Sequence, residues 1–285
     1  MIVPLATPSL RARRFGEEVR KLPAFLRRDL LVAVSYRAVF VGDIVALVMQ
    51  ALLFAYIGKL VDSNAMPSYN GQQASYIEFA TIGIAVGAFT QLGLARAAQA
   101  IRNEQLLGTL DPMLATPTEV ETIQVGSVMF DLVYVPVRTF VFLVLMFLLY
   151  GLGYQWSGAV PSLVVLMLLI PSVWGLGIVG AAAVMTFRRG NSTVGLAGMF
   201  IALASGAYFP LTLLPAWLQS IMRATPMAIA LQRIRDALIG GTGWSGIGVA
   251  AAILVAWAVC SLAVGLLAFR RALRRERRLG TLGLY

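Results

Sequence analysis

Residues 102–117, RNEQLLGTLDPMLATP, form the one long polar segment between two strongly apolar runs. The runs on either side, roughly Ile77–Leu94 and Val128–Tyr150, are close to the ~20 residues that a helix needs to cross a bilayer. A polar segment that follows one span and precedes the next lies in water on the side where both spans end. The pattern therefore predicts two membrane helices joined by a solvent-facing loop.

The composition is that of a membrane protein. Of the 285 residues, 59% are hydrophobic and only 13% are charged, whereas soluble domains carry about 25% charged residues. The apolar residues form continuous blocks, and a transmembrane barrel would instead show alternating strands of ~10 residues. We predict an all-α polytopic membrane protein.

Six apolar stretches predict six transmembrane helices. They cover roughly residues 38–57, 77–94, 128–150, 160–185, 194–211 and 247–269. Residues 212–243 contain too many prolines, glycines and charges to span, and we expect them to form a re-entrant hairpin over the outer exit. The permease domain is thus predicted at 37–269, followed by a basic tail at 270–285.

Residues 1–36 predict an N-terminal amphipathic helix. Phe15, Val19, Leu22 and Leu26 recur at helical spacing among many basic residues, a pattern typical of helices that lie in the headgroup plane. A solvated basic tail is the alternative. No cleavable signal peptide is expected, because no short apolar core with a cleavage site follows.

The charge distribution predicts the topology. The net charge is +10, and 18 of the 23 basic residues fall on the side that holds both termini and the 102–117 loop. Because basic residues favour the cytosolic side, we expect both termini in the cytosol. The arginine- and alanine-rich usage suggests a bacterial plasma membrane, and the position of the charges beside apolar runs argues against a nucleic-acid partner.

Several kinds of chemistry are excluded by residue type. The chain contains no histidine and a single cysteine, Cys260, which removes histidine acid–base catalysis and His/Cys metal sites. An intramembrane enzyme would have few side chains available for catalysis. The one Gly-Lys pair, Gly58-Lys59, lacks the remaining glycine and the hydroxyl of a phosphate-binding loop, so any ATP hydrolysis would come from another polypeptide.

The polar loop is patterned for short helices. The leucines that recur on one face are Leu106, Leu107, Leu110 and Leu114. Asp111-Pro112 is a helix-start pair, and the segment from Thr118 to Glu121 matches a capping box. A short amphipathic helix lying across the ends of two spans would dock into a groove on a partner and pass the partner's motion to both spans.

Two segments resemble a known family. The pattern Glu104-x-x-x-Gly108-Thr109-Leu110-Asp111-x-x-Leu114-x-Thr116-Pro117 resembles the signature loop of the type-two export permeases of ATP-binding-cassette (ABC) transporters, which usually have Glu where Asp111 stands. The second segment, SGAYFP at 205–210 with LPAWL at 214–218 and Arg235 downstream, is similar to the family's fifth span and outer hairpin. The resemblance covers nearly the whole chain.

The resemblance implies a transport subunit and not an enzyme. It implies a permease dimer in contact with membrane lipids, above two ATPase subunits that bind the ATP and Mg²⁺, with no cofactor in this chain. It also implies a substrate path lined by the first, second and fifth spans, and Glu104 nearest the ATPase. The residues expected to couple to the ATPase are Arg102, Glu104, Gly108, Thr109, Leu110, Asp111, Leu114, Thr116 and Pro117.

Polar and aromatic residues within the spans are candidates for the substrate path. The path residues that we predict are Asp43, Gln50, Phe200, Tyr208 and Phe209. The three aromatics would form a gate near the outer end, or else pack against lipid. A mostly apolar path favours a hydrophobic or amphiphilic cargo such as a lipid, glycolipid or drug, moved outward.

The ionisable residues within the spans leave a second function open. Asp43 and Gln50 share a helix face, and Asp131 and Arg138 have the same seven-residue spacing. Ionisable groups in membranes often serve transport, so an ion-coupled secondary transporter using Asp43 or Asp131 is the alternative. The structural interpretation is that Arg138 pairs with an acid on a neighbouring helix.

A third motif is explained by helix packing. Gly175, Gly177 and Gly180 match the dinucleotide pattern G-x-G-x-x-G, but they lie inside an apolar span and the expected ribose-binding acid is missing. We predict that these glycines allow close approach of a neighbouring helix.

Overall fold

The computed structural model describes residues 8–60, 66–106, 108–109, 112, 116, 118, 120–187 and 190–279. Helices dominate this part of the chain. The helices are α1 (Pro8–Ser35), α2 (Arg37–Gly58), α3 (Tyr76–Leu106), α4 (Val120–Gly126), α5 (Asp131–Tyr150), α6 (Ala159–Phe187), α7 (Gly190–Ala204), α8 (Ala216–Arg223), α9 (Pro226–Leu238) and α10 (Ile247–Leu279). Two-residue strands β1 (Ser68–Tyr69) and β2 (Gln72–Gln73) pair in an antiparallel hairpin, and short 3₁₀ turns lie at Trp156–Gly158 and Leu211–Leu213.

Five helical segments among the described residues are long and apolar enough to cross a membrane. They are Arg37–Gly58, Tyr76–Gln99, Thr122–Tyr150, Trp156–Ala183 and Ile247–Arg275. The predicted all-helical, multi-pass architecture is therefore correct.

The predicted fifth span needs correction. Where 194–211 is expected to cross the membrane, α7 ends at Ala204, and its apolar part among the residues with described side chains covers Gly195–Ala204. Apolar residues continue beyond it, but the backbone turns at Gly206 with a φ of +83°, a conformation that glycine adopts readily. The six predicted spans correspond to five full-length helices and this shorter one.

The helix bundle has two ends, which we call the α1 end and the hairpin end after the element that lies at each. At the α1 end, α1 packs on α4 beside the last turns of α3. At the hairpin end, the β1–β2 turn meets the segment after α9, where the Asn70 amide donates to the Gly240 carbonyl at 2.9 Å. The short helices α8 and α9 occupy this second end and fall within the predicted hairpin at 212–243.

The core is built around α3, α6 and α10. The apolar stretch of α3 is 72% buried, whereas that of α2 is only 17% buried. The glycines of the G-x-G-x-x-G motif explain how closely the helices pack: a methyl group on Gly175 would lie 2.3 Å from Ser261 Oγ, and one on Gly177 would lie 2.5 Å from the Ala97 methyl. The prediction that the motif's glycines serve helix packing is confirmed for Gly175 and Gly177.

Candidate functional site

The first part of the site is the junction at the α1 end, centred on Glu104. This side chain lies near the end of α3 and is 4% exposed. Arg28 of α1 places Nη2 2.9 Å from Glu104 Oε1. The Thr109 hydroxyl donates to Glu104 Oε2, and the Ser127 hydroxyl lies 3.4 Å from Oε1. One carboxylate thus joins α1, α3, the following loop and the start of the next span.

The end of α3 explains how the loop begins. Gly108 has a φ of +69°, and the Thr109 N–H donates to the Glu104 carbonyl at 3.0 Å. This arrangement is the Schellman ending of a helix, in which a left-handed glycine follows the last turn. The Thr109 hydroxyl also donates to the Glu104 carboxylate. The first residues after the helix are therefore fixed to this glutamate.

This geometry corrects part of the predicted loop. The segment 102–106 was expected to begin a separate helix across the ends of the spans, but it continues α3, whose backbone includes Arg102. Glu104, predicted to lie nearest the ATPase, faces the protein interior. Gly108, Pro112 and Thr116 are exposed. The predicted coupling residues that lie outside the described part of the chain are Leu110, Asp111, Leu114 and Pro117.

Arg28 is positioned by the packing of α1 on α4. The Phe25 ring lies directly over Gly126, where an added methyl group would approach the ring to 2.6 Å. The Arg28 guanidinium lies 5.5 Å from the centre of the same ring and also binds Asp29 at 2.7 Å. The amphipathic helix predicted at the N-terminus therefore holds the cation that meets Glu104.

The acids within the spans are paired. Asp131 Oδ1 lies 2.7 Å from Arg96 Nη1. Asp43 accepts a hydrogen bond from the Tyr134 hydroxyl and lies 3.8 Å from Arg138 Nε. The structure thus agrees with the interpretation that Arg138 pairs with an acid on a neighbouring helix. Among the residues that the structure describes, no three Asp, Glu, Cys or His side chains lie close enough together to bind a metal ion.

The second part of the site is a cavity of about 670 Å³ near the hairpin end. Gln50 of α2 donates to the Tyr208 hydroxyl at 3.2 Å, and the Phe54 ring stacks on the Tyr208 ring with centroids 4.9 Å apart. Phe209 lines the same cavity. Three of the five predicted path residues, Gln50, Tyr208 and Phe209, are therefore brought together.

The other two predicted path residues lie elsewhere. Phe200 is 58% exposed on α7 and does not line this cavity. Asp43 lies two turns along α2 from Gln50, beside Tyr134. The expectation of one aromatic gate made of Phe200, Tyr208 and Phe209 thus fits the last two residues only.

The wall of this cavity is the non-helical segment that follows α7. Three successive carbonyls of that segment accept side-chain hydrogen bonds: those of Gly206 and Ala207 from Arg235 at 2.9 and 3.1 Å, and that of Tyr208 from the Tyr76 hydroxyl at 3.2 Å. Irregular backbone at membrane depth needs such partners because lipid offers none.

Arg235 holds this segment in place, and its role was not predicted. It lies on α9, which begins at Pro226 after the Thr225 hydroxyl accepts from the Ala228 N–H, a common helix cap. The guanidinium also donates to the Phe79 carbonyl at 3.0 Å and lies 3.5 Å from the centre of the Phe79 ring.

The surroundings of Arg235 are neutral. The residue is 4% exposed, and none of the ion pairs formed within the described ranges involves it. Burial lowers the pKa of Arg235 to about 10, an effect that the nearby Tyr69 phenol partly offsets. The side chain therefore stays charged at neutral pH. The only sequence signal of this role was the position of Arg235 downstream of the SGAYFP segment.

Two comparisons with known proteins bear on the site. The family profile described as "ABC-2 type transporter" matches residues 21–239, which include both Glu104 and Arg235. The "Linearmycin resistance permease protein LnrN" of Bacillus subtilis (strain 168) is 28% identical over 118 residues, 41% of this chain. That match spans 31% of the length of the curated relative.

Proposed function

Since the chain belongs to the ABC-2 type transporter family, we propose that it is the membrane subunit of an ATP-driven exporter. Hydrolysis of ATP, with its Mg²⁺, takes place in a separate ATPase subunit, and the energy reaches this chain through the loop at 102–117. The cargo is hydrophobic or amphiphilic and moves outward. A second permease, either a copy of this chain or a paralogue, completes the dimer.

The observation that carries this proposal is the junction at Glu104. The loop leaves α3 at Gly108 and is fixed at its first turn by two bonds from Thr109 to Glu104. The same carboxylate contacts α1 through Arg28 and the next span through Ser127. A push on the loop therefore reaches three helices at once, as a rigid-body coupling mechanism requires.

The burial of Glu104 changes its proposed role. A carboxylate that is 4% exposed and surrounded by its own chain holds the loop, while the exposed Gly108, Pro112 and Thr116 face the partner. The remaining coupling residues are proposed to belong to the same contact surface: Arg102, Leu110, Asp111, Leu114 and Pro117.

The cavity beside Tyr208 is the proposed outer part of the substrate path. Its lining combines the polar Gln50 with the aromatic rings of Phe54, Tyr208 and Phe209, which suits a largely apolar molecule with few hydrogen-bonding groups. Its volume of about 670 Å³ is within the range of small-molecule sites. The relative named for linearmycin resistance makes linearmycin one candidate cargo.

The remaining path residues and the location in the cell belong to the same proposal. Phe200 and the sparsely buried α2 face the second permease, and Asp43 lies on that helix. We propose that the chain lies in a bacterial inner membrane with both termini in the cytosol, because basic residues favour the cytosolic side. An ion-coupled secondary transporter remains the competing function, but both of its candidate acids, Asp43 and Asp131, are engaged by arginines.

Reconstitution tests the proposal. The chain is placed in proteoliposomes with its ATPase, and movement of a fluorescent amphiphile is followed with ATP, without ATP, and with an ATPase variant that binds but does not hydrolyse ATP. We expect transport only with the active ATPase, and no hydrolysis by the chain alone. Transport that survives ATP depletion and stops when the proton gradient is dissipated would support the secondary transporter instead.

A further inference from the structure

A basic cavity of about 420 Å³ lies at the hairpin end, next to the cavity beside Tyr208, with which it shares Pro210. Three arginines line it: Arg223 at the end of α8, and Arg233 and Arg235 on α9. Thr212 and Gln232 add neutral polar groups. A volume of this size is sufficient for a small ligand or a head group.

The cavity carries an excess of positive charge. None of the lining residues that the structure describes is Asp or Glu. Among the described residues, Asp236 pairs with one of these arginines: its Oδ2 lies 3.3 Å from Arg233 Nη1. Arg235 is 4% exposed, and its Nε has no hydrogen-bond acceptor among the residues that the structure describes. The described part of the cavity thus has three guanidinium groups, of which that of Arg233 is paired with a carboxylate.

Two of the three arginines are held in place before any ligand arrives. Arg235 is fixed by carbonyls of three residues. Arg233 lies against Gly246, whose φ is +72°, and an added methyl group there would approach Arg233 Nη1 to 2.9 Å. Guanidinium groups that are already positioned bind carboxylates and phosphates through paired N–H bonds.

The opposite wall of the cavity is apolar and open. It is formed by Val249 and Ile253 of α10, which are 65% and 40% exposed on a membrane-spanning helix. A ligand that fits both walls has an anionic oxygen-rich group at one end and an apolar part at the other.

We propose that this cavity binds the oxyanion group, phosphate or carboxylate, of an anionic amphiphile, through Arg223 and Arg233, with the buried positive charge of Arg235 behind them. The site lies at the opposite end of the bundle from Glu104, and its binding does not depend on the energy source of transport. An anionic lipid and a free phosphate share the recognised chemistry, so the experiment separates the two.

The experiment measures binding to the purified full-length chain by isothermal titration in a neutral detergent. The ligands are short-chain phosphatidylglycerol, phosphatidylcholine with the same chains, and inorganic phosphate. Arg223→Gln/Arg233→Gln is compared with Arg271→Gln/Arg274→Gln, which removes two exposed charges from the other end of α10. Arg223→Lys/Arg233→Lys keeps the charge but loses the paired geometry.

We expect phosphatidylglycerol to bind, and the glutamine pair at 223 and 233 to weaken it by about tenfold or more, as loss of charge-assisted bonds does. The lysine pair is expected to restore part of the affinity, and the control pair to leave it unchanged. Competition by inorganic phosphate identifies the free anion as a ligand, and its failure to compete identifies the lipid. Equal binding of both lipids, or equal loss in the control pair, overturns the proposal.

Discussion

The two ends of the bundle hold a buried charge by different means. At the α1 end, the Glu104 carboxylate meets the guanidinium of Arg28, and both charges belong to side chains. At the hairpin end, the Arg235 guanidinium meets backbone carbonyls of three residues and the Phe79 ring. Both residues are 4% exposed, so burial alone does not distinguish them.

The difference concerns what each contact can do when the protein moves. The Arg28 side chain is 38% exposed, so it can be hydrated when it leaves Glu104, and the carboxylate then keeps its hydrogen bond from the Thr109 hydroxyl. The carbonyls bound by Arg235 have no such access to water, and separating them from the guanidinium would leave buried polar groups unpaired. The α1 end therefore suits a contact that forms and breaks, and the hairpin end suits a fixed one.

The largest effect is expected at Arg235. Arg235→Met removes the donor from the carbonyls of Phe79, Gly206 and Ala207, and buried hydrogen bonds to a charged group contribute about 1.5–3 kcal/mol each. We expect the free energy of unfolding to fall by about 3 kcal/mol or more, measured by thermal unfolding in detergent. The control Arg233→Met affects a more exposed arginine on the same helix. If both variants were equally stable, Arg235 would not hold the segment.

The next effect tests the close contact behind that segment. A methyl group on Gly83 of α3 would lie 1.6 Å from the Ala207 carbonyl oxygen, and overpacking of this kind costs about 1–3 kcal/mol or more. We expect Gly83→Ala to lower the unfolding temperature. Gly42→Ala is the matched control, because that helical glycine has nothing within 4 Å of the added methyl group. Equal destabilisation by both changes would show that the effect comes from replacing a helical glycine in general, and not from the contact with Ala207.

The Arg28–Glu104 pair is expected to matter more for coupling than for stability. Arg28→Gln and Glu104→Gln, singly and together, form a double-mutant cycle, and contacting residues typically show interaction energies of about 0.5–3 kcal/mol. We expect a loss of transport per ATP hydrolysed in the reconstituted complex, with smaller changes in unfolding than for Arg235→Met. Additive effects of the two changes would show that the pair does not act as a unit.

The smallest effect is expected in the cavity beside Tyr208. Tyr208→Phe removes the hydrogen bond from Gln50 but keeps the ring that stacks on Phe54. A single neutral hydrogen bond contributes about 0.5–1.5 kcal/mol, so folding is expected to change little. The cargo preference should shift toward less polar molecules, measured by competition between amphiphiles in the transport assay. Gln50→Leu is expected to shift it in the same direction, and opposite shifts would contradict a shared role.

Hydropathy predicted most of the helices because membrane thickness imposes their length. The first span was expected at 38–57, and α2 covers Arg37–Gly58. The fifth was too long because hydropathy does not register a break in a mostly apolar sequence, and residues 207–211 are still mostly apolar. The segment after the turn at Gly206 is held by hydrogen bonds that Arg235 and Tyr76 donate to the carbonyls of Gly206 and Tyr208.

The site was predicted in part. Gln50, Tyr208 and Phe209 meet in one cavity, as residues at corresponding depths of neighbouring spans do. The burial of Glu104 was not predictable, because a glutamate near a helix end usually lies in water and its burial here depends on Arg28 of another helix. The role of Arg235 was missed for a similar reason, since its acceptors are carbonyls, which any residue type can supply.

The central claim, that a separate ATPase drives this chain through the 102–117 loop, is tested most directly by crosslinking. A cysteine at Gly108 is compared with one at Gly71, both at exposed loop glycines with positive φ and nothing within 4 Å, in a chain where Cys260 is replaced by serine. We predict that Gly108→Cys crosslinks to the ATPase in native membranes and that Gly71→Cys, at the hairpin end, does not. Crosslinking from Gly71→Cys, or labelling of Gly108→Cys from outside the cell, would contradict the account.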